Sequence, residues 1–262
     1  MILLVIILDL TMNEEQLWFN KEKIILENND SIFIKKIKNH EFNYIKNEKN
    51  NKIVEIKDIV SKDFSKIIIQ KSEEMNGWKK VGFHKAEVLE QVNNVGEKND
   101  MFSNCIKEYM ENVKAIFNKI YNKPVIFKSI YIQKWPPGSY GLKHNDTHNL
   151  DGSPGFIDWK LSVLLYLHSD FVGGKLEFPD HNISIVPNQG SGYFFEGGPQ
   201  NEHQVTTIET GLRYTIVSFW DFEDSVYDKN DILTLKENEK KWAEYMKNKN
   251  LQIVAESDII KK

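Results

Sequence analysis

The sequence predicts an α+β fold that is mainly β, with a core that reads as a β-sandwich or jelly roll supported by helices. Two observations carry this reading. From Val125 to Trp220, short apolar runs rich in β-branched and aromatic residues follow one another between Gly and Pro turns. Ahead of them, apolar residues recur at steps of three and four from Phe102 to Ile120.

The elements can be justified in chain order. The opening run Ile2–Leu8 is seven residues long, far short of the roughly 20 that span a bilayer. It has no basic flank and no small-residue cleavage site, so it predicts a buried strand rather than a signal peptide. Short strands are expected at "IILEN", "IFIKKI" and "IVEIKDIV", with a solvated turn over Asn47–Lys52 and a helix at "KDFSKIIIQKSEEM". Phe102, Cys105, Ile106, Tyr109, Met110, Val113, Ile116, Phe117 and Ile120 form one face of an amphipathic helix over about 100–121, which Pro124 ends. The strand runs that follow are "VIFKSIYIQKW", "KLSVLLYLH", "KLEF", "ISIV", "GYFF", "HQVTTI" and "RYTIVSFW". Turns at Pro136-Pro137-Gly138, Gly173-Gly174, Pro187 to Gly190, Gly197-Gly198-Pro199 and Gly211 separate them. A charged helix is expected over Leu233–Lys249. With no repeat and no long linker, the reading is one domain over 1–262: N-terminal strands and supporting helices at 1–123, a core at 124–222 and a helical extension at 223–262.

Composition narrows the function classes. A net charge of −4 supplies no basic field for nucleic acid, and no membrane partner is expected. Cys105 is the one cysteine, so no intrachain disulfide forms, in keeping with a reducing, cytoplasmic setting. Of the 34 basic residues, Arg213 is the single arginine. In a chain that uses lysine elsewhere, it marks a place where a planar fork able to grip a carboxylate is wanted.

The chain has seven histidines, and two of them fall in His144-Asn-Asp146-Thr-His148. Residues two apart on a strand share a face, so His144 and Asp146 can reach one metal from a strand end. A third ligand must come from elsewhere; the other late histidines are His148, His168, His181 and His203. Of these, His168 follows "LSVLLYL" and is expected to end that strand, and His203 opens "HQVTTI", expected to face the later strand that carries Arg213. Two histidines and one carboxylate on one face of an octahedron leave three positions open, the arrangement of non-haem Fe(II) oxygenases. Arg213, ten residues after His203, could grip the far carboxylate of a keto acid cosubstrate.

An ordered set of motifs over about 90 residues then resembles the prolyl 4-hydroxylase branch of the 2-oxoglutarate/Fe(II) dioxygenases. The set runs Trp135-Pro-Pro-Gly138, His144-Asn-Asp146, Tyr166-Leu167 and Gly173-Gly174-x-x-x-Phe178. It continues with Pro187-x-x-Gly190 and Phe194-Phe195, His203-Gln-Val205 and Arg213-Tyr-Thr215. Asp146 and His203 are 57 residues apart, a family spacing. The resemblance implies a double-stranded β-helix (jelly roll) core. It implies Fe(II) on His144, Asp146 and His203, and 2-oxoglutarate paired through its C5 carboxylate with Arg213. Thr215 and Tyr166 could add hydroxyl hydrogen bonds, Leu176 an apolar wall, and Val205 sits in the His-x-Val motif beside the cosubstrate. Ascorbate is a further candidate cofactor.

The sequence departs from the family outline in places. Trp135 stands where many members have tyrosine, and Tyr131 is a candidate to replace that contact. Lys175 and Leu176 stand where collagen-type members have Glu-Thr, and Arg213 resembles the oxygen-sensing members. The implied reaction is hydroxylation of an unactivated C–H, with 2-oxoglutarate decarboxylated to succinate and CO2. Asp146 favours hydroxylation over halogenation, because halogenating members lack that carboxylate. A peptidyl proline is the implied substrate, with a free amino acid or other small molecule as the alternative. A non-catalytic jelly-roll module binding metal or sugar is the rival from another class. It would need the metal ligands but not a correctly spaced Arg213. His148, His168, His181, His40 and His84 are read as entrance, surface or hydrogen-bonded histidines.

Overall fold

The structure is a computed structural model that describes residues 42–49, 51–75, 78–81, 86–89, 101–241 and 244. The strands expected at Ile2–Leu8, "IILEN" and "IFIKKI", and His40 and His84, lie outside the described residues.

The architecture is mainly antiparallel β with supporting helices, as the sequence predicts. The N-terminal segment contributes the hairpin β1 (Phe42–Glu48) and β2 (Asn51–Ile56), helix α1 (Lys62–Met75), short strands β3 (Lys79–Val81) and β4 (Ala86–Leu89), and helix α2 (Met101–Tyr121). The core then runs β5 (Val125–Trp135), β6 (Gly141–His144), β7 (Leu161–Tyr166), β8 (Phe171–Gly173), β9 (Leu176–Phe178) and β10 (Ile183–Ile185). It closes with β11 (Gly192–Glu196), β12 (His203–Val205), β13 (Ile208–Gly211) and β14 (Arg213–Phe222). A large sheet has the order β1-β2-β11-β7-β14-β5-β4-β3, and a smaller one β10-β9-β12-β6; β13 and β8 form a separate pair.

Alternation along the strands of the large sheet sorts its side chains onto two faces. On β14, Tyr214, Ile216 and Trp220 turn to one face, where they join the α2 stripe of Ile106, Tyr109, Val113, Ile116 and Phe117. Val217 and Phe219 turn to the other, where they meet Tyr166, Tyr193 and Phe195 of the large sheet and Leu176 and Phe178 of the small one. The helices therefore back the large sheet, and a second core fills the space between the sheets. The central strands β7 and β11 are accordingly buried along their whole length, whereas the edge strand β1 keeps exposed positions.

Local chemistry sets the helix ends. The Ser61 hydroxyl accepts the Phe64 amide at 3.1 Å and caps α1. Asn122 takes a left-handed conformation (φ 52°) after α2, with Pro124 beyond it. The C-terminal helix covers 229–241, beginning earlier than the expected Leu233. Asp228 accepts the Asn230 and Asp231 amides at 2.7 and 2.9 Å, a cap that the apolar pattern did not reveal. No described helix is long and apolar enough to cross a membrane.

Two strand expectations are corrected. "HQVTTI" is not one strand: β12 ends at Val205, and β13 starts at Ile208. Between them Thr206 donates to the Lys175 carbonyl at 3.0 Å, and Ile208 to that of Ser139 at 2.8 Å, so the chain leaves the small sheet there. His203 and Arg213 consequently stand in different sheets. The strand carrying Leu161 ends at Tyr166, two residues before His168.

Candidate functional site

His144 and His203 are direct register partners, one at the end of β6 and the other at the start of β12. Their rings lie 4.4 Å apart between centroids. Asp146 follows two residues after His144, and its amide donates to the Gly197 carbonyl at 2.8 Å, which fixes the loop. The Nε2 atoms of His144 and His203 stand 3.8 and 3.9 Å from Asp146 Oδ1. One donor atom from each of the three residues falls within 4.8 Å of the others, and this is the one such group among the described residues.

The hydrogen bonds around the triad orient it for a cation. His144 Nδ1 pairs with the Leu142 carbonyl at 2.7 Å, and His203 Nδ1 with the Asn201 carbonyl at 3.0 Å. A carbonyl only accepts, so each Nδ1 carries the proton and each Nε2 presents a lone pair toward Asp146. Burial, helped by the neighbouring His203, pushes the His144 imidazole down to about 4, so it stays neutral, as a metal ligand must be. Asp146 Oδ2 accepts from the Ser162 hydroxyl at 2.5 Å, which leaves Oδ1 to face the histidines. Sequence reasoning missed Ser162. Its signal was a lone hydroxyl in the apolar strand "LSVLLYL", in step with Leu164 and Tyr166.

His148 is not part of this group. Its Nδ1 contacts the Thr147 hydroxyl at 2.8 Å and Asn145 Oδ1 at 3.3 Å, so it braces the loop. His168 Nδ1 accepts the Asp170 amide at 3.2 Å, and His181 Nε2 pairs with the Gln200 carbonyl at 2.8 Å. Both are hydrogen-bonded histidines, as expected.

Arg213 opens β14 opposite Trp135 of β5 and is fully buried. Its guanidinium carbon lies 4.8 Å from the ring centres of both Trp135 and Tyr166. Nη2 donates to the Tyr166 hydroxyl at 2.8 Å. Nε and Nη1 are buried and have no hydrogen-bond partner among the described residues. A buried cation with two idle donors is costly unless something anionic meets it. Gly174 leaves room here, since a Cβ at that position would stand 3.3 Å from Arg213 Cδ and strike Ile208.

The other expected cosubstrate residues surround Arg213 to different degrees. Thr215 is buried on the same strand face, and its hydroxyl donates to Gln133 Oε1 at 3.3 Å. The same oxygen accepts Trp135 Nε1 at 3.2 Å. Gln133 was also missed, although it alternates with Tyr131 and Trp135 on one face of β5. Val205 packs with Trp135 and Ile208, and pairs across the small sheet with Leu176. Val205 and Trp135 thus link β12, which carries His203, to Arg213. Tyr131 contacts Trp159 and Phe219, each at 6.2 Å between ring centres, whereas Trp135 stacks on Arg213.

This geometry can be set beside known proteins. Residues 130–221 match the family model of the 2OG-Fe(II) oxygenase superfamily. That segment is about a third of the chain, and all three triad residues and Arg213 fall inside it. No curated protein sequence matches the chain. Among solved structures, a viral collagen prolyl hydroxylase from Paramecium Bursaria Chlorella virus-1, in complex with 2OG, superposes with a TM-score of 0.51 at 15% identity. The match covers 64% of this chain and 94% of that one. A prolyl hydroxylase from Trichoplax adhaerens, in complex with a hypoxia inducible factor oxygen degradation domain peptide fragment, gives a TM-score of 0.52 at 14% identity. That match covers 81% of this chain and 95% of the other. At these identities the likeness is one of fold, and it bears out the jelly-roll core and the likeness to prolyl hydroxylases read from the motifs.

Proposed function

We propose that this chain is a 2-oxoglutarate- and Fe(II)-dependent hydroxylase, that His144, Asp146 and His203 hold the iron, and that a peptidyl proline is its substrate. The observation that carries the reading is Arg213. A metal-binding or sugar-binding module has no use for a fully buried guanidinium with two donors left over. A dicarboxylic keto acid does, because its far carboxylate matches the guanidinium fork.

The residues present fit the implied groups. The two Nε2 lone pairs and Asp146 Oδ1 form a neutral–neutral–anionic donor set suited to a divalent cation. When bound, Fe(II) supplies the activation of dioxygen that couples 2-oxoglutarate decarboxylation to insertion of one oxygen atom into a C–H bond. The protein's share is orientation. Ser162 holds Asp146, the Leu142 and Asn201 carbonyls hold the imidazoles, and Tyr166 and Trp135 hold Arg213 at a fixed angle. Leu176, Val205 and Trp135 exclude water around the cosubstrate, which strengthens the Arg213–carboxylate pair. Thr215 and Gln133 supply polar atoms beside Trp135 for the remaining oxygens of the cosubstrate.

Two features support a peptidyl substrate: the ordered motif set and a fold like that of prolyl hydroxylases. The test is CO2 release from 2-oxoglutarate, with a parallel mass-spectrometric search for a gain of one oxygen on proline-containing peptides and on free amino acids. CO2 release with oxygen gained only by free amino acids would replace the peptide reading. The absence of any 2-oxoglutarate turnover with Fe(II) present would remove the oxygenase reading.

A further inference from the structure

On the far side of the triad loop lies a cleft of about 300 Å³ whose walls carry Lys49, Lys52, Lys123 and Lys160 and one carboxyl, Glu196. In a chain of net charge −4, this is a local reversal of sign. Three of the segments that line the cleft also build the metal floor, while Lys49, Lys52 and Lys123 reach it from the β1–β2 hairpin and the end of α2. Asp146 is followed by Thr147, which lines the cleft. Ser162, which holds Asp146, is preceded two residues earlier by Lys160, whose carbonyl accepts the Gly197 amide at 2.8 Å. Gly197 accepts the Asp146 amide and is flanked by Glu196 and Gly198, both lining residues.

Neutral groups hold two of the four ammonium groups, those of Lys52 and Lys160. Lys52 Nζ donates to the Ile120 carbonyl at 2.9 Å and sits over the Tyr121 ring. Lys160 Nζ donates to the Ser225 hydroxyl at 2.9 Å and sits over the Tyr227 ring. Asp221 Oδ1 stands 3.8 Å from Lys160, a long ion pair that offsets part of that charge. Among the described residues, Lys123 is the one of the four lysines with a close ion pair, to Asp224 at 3.0 Å, and that pair is solvent-exposed. Burial raises the Glu196 carboxyl above its usual range, which lessens its repulsion of an anion. Carbonyl, hydroxyl and ring partners position a lysine without cancelling its charge, so the cleft keeps a positive field that an anion can enter.

We propose that this cleft is an anion subsite that receives the carboxylate of an acidic residue in the peptide substrate. The peptide identity rests on the hydroxylase reading above; the preference for an anion does not. Adjacency to the Asp146 loop gives the subsite a purpose: an acidic residue seated there would anchor the peptide within a few residues of the metal. Lysines suit this role, since each ammonium is a compact point charge that tolerates several approach angles.

The experiment measures fluorescence anisotropy of two labelled decapeptides with the full chain, with and without added Fe(II). Both carry a central proline; one has flanking glutamates and the other glutamines. The glutamate peptide is expected to bind about tenfold more tightly or better, with the advantage shrinking as salt is raised. In a Lys49→Gln/Lys160→Gln chain the two peptides should bind within about twofold of each other, while CO2 release without peptide stays at the wild-type level. Inorganic phosphate should compete with the glutamate peptide in the wild type. Equal binding of both peptides to wild type, or an undiminished preference in the double variant, overturns the proposal. Phosphate binding without any gain for the glutamate peptide also overturns it, in favour of a free-anion site. Because binding is read without turnover, a failed oxygenase reading would show only in the CO2 assay.

Discussion

Arg213 Nη2 donates to the Tyr166 hydroxyl at 2.8 Å, and the same guanidinium lies between the rings of Tyr166 and Trp135. Tyr166 thereby takes up one Nη2 hydrogen, while Nε and Nη1 have no partner among the described residues, so the second Nη2 hydrogen and an adjacent donor can still grip an incoming carboxylate. Arg213→Lys keeps the charge but loses the fork, and one charge-assisted hydrogen bond is worth roughly 1.5–3 kcal/mol. The expected result is a rise of roughly ten- to a hundredfold in the 2-oxoglutarate concentration needed for half-maximal CO2 release. Arg213→Ala should be worse, and iron affinity should change little in either. An unchanged curve for Arg213→Ala would take the cosubstrate argument away.

Metal binding should separate the clustered histidines from their neighbour. His144→Ala, Asp146→Ala and His203→Ala are each expected to lose bound iron and activity. His148→Ala removes a loop brace and should keep most of the metal. Iron content after gel filtration reads this directly. Loss confined to the His148 variant would reverse the assignment.

Ser162→Ala removes the hydroxyl that holds Asp146 Oδ2 at 2.5 Å. Loss of such an outer hydrogen bond lowers metal affinity by about 10–100-fold. Fe(II) titration should show that drop while the thermal midpoint moves by only a few degrees. Wild-type affinity in this variant would mean that Asp146 needs no such support.

The helix–sheet core makes its own prediction. Phe117 of α2 is fully buried and meets Phe194 edge-on at 5.1 Å and Trp220 at 6.1 Å. Phe117→Ala should cost about 3–5 kcal/mol of stability, by lost burial and an unfilled cavity. Urea unfolding measures it, and a cost under about 1 kcal/mol would contradict this packing.

Glu196 gives a pH-dependent term. Its folded carboxyl is raised by burial, against the Lys52 amide bond at 2.6 Å that opposes the shift. A raised folded value means that the neutral form is favoured in the native state. The contribution is therefore fully present below the unfolded carboxyl value and is lost as pH rises through the folded one. Glu196→Gln should flatten stability against pH in that window and leave the variant relatively more stable above it. Parallel profiles for the two chains would show that Glu196 does not titrate with folding.

The sequence alone determined a good deal. Helix α2 was legible because its apolar residues keep a 3.6 period, and the strands of the core because short apolar runs alternate with turn residues. His144, Asp146, His203 and Arg213 were legible from an ordered motif set whose spacing is held by the strands between them. Only the tertiary structure decided what those residues touch. Ser162 and Gln133 escaped notice because a hydroxyl or an amide in a strand has no pattern of its own; its meaning comes from the neighbour that the register supplies. The break at Thr206 was invisible for the same reason, since the hydrogen bonds that draw the chain off the small sheet come from Lys175 and Ser139, distant in sequence. The lysines of the cleft lie up to 111 positions apart, from Lys49 to Lys160, and read as solvated surface until folding brings them together. Periodicity is a local property of the chain and survives without its fold; juxtaposition across sheets is created by folding.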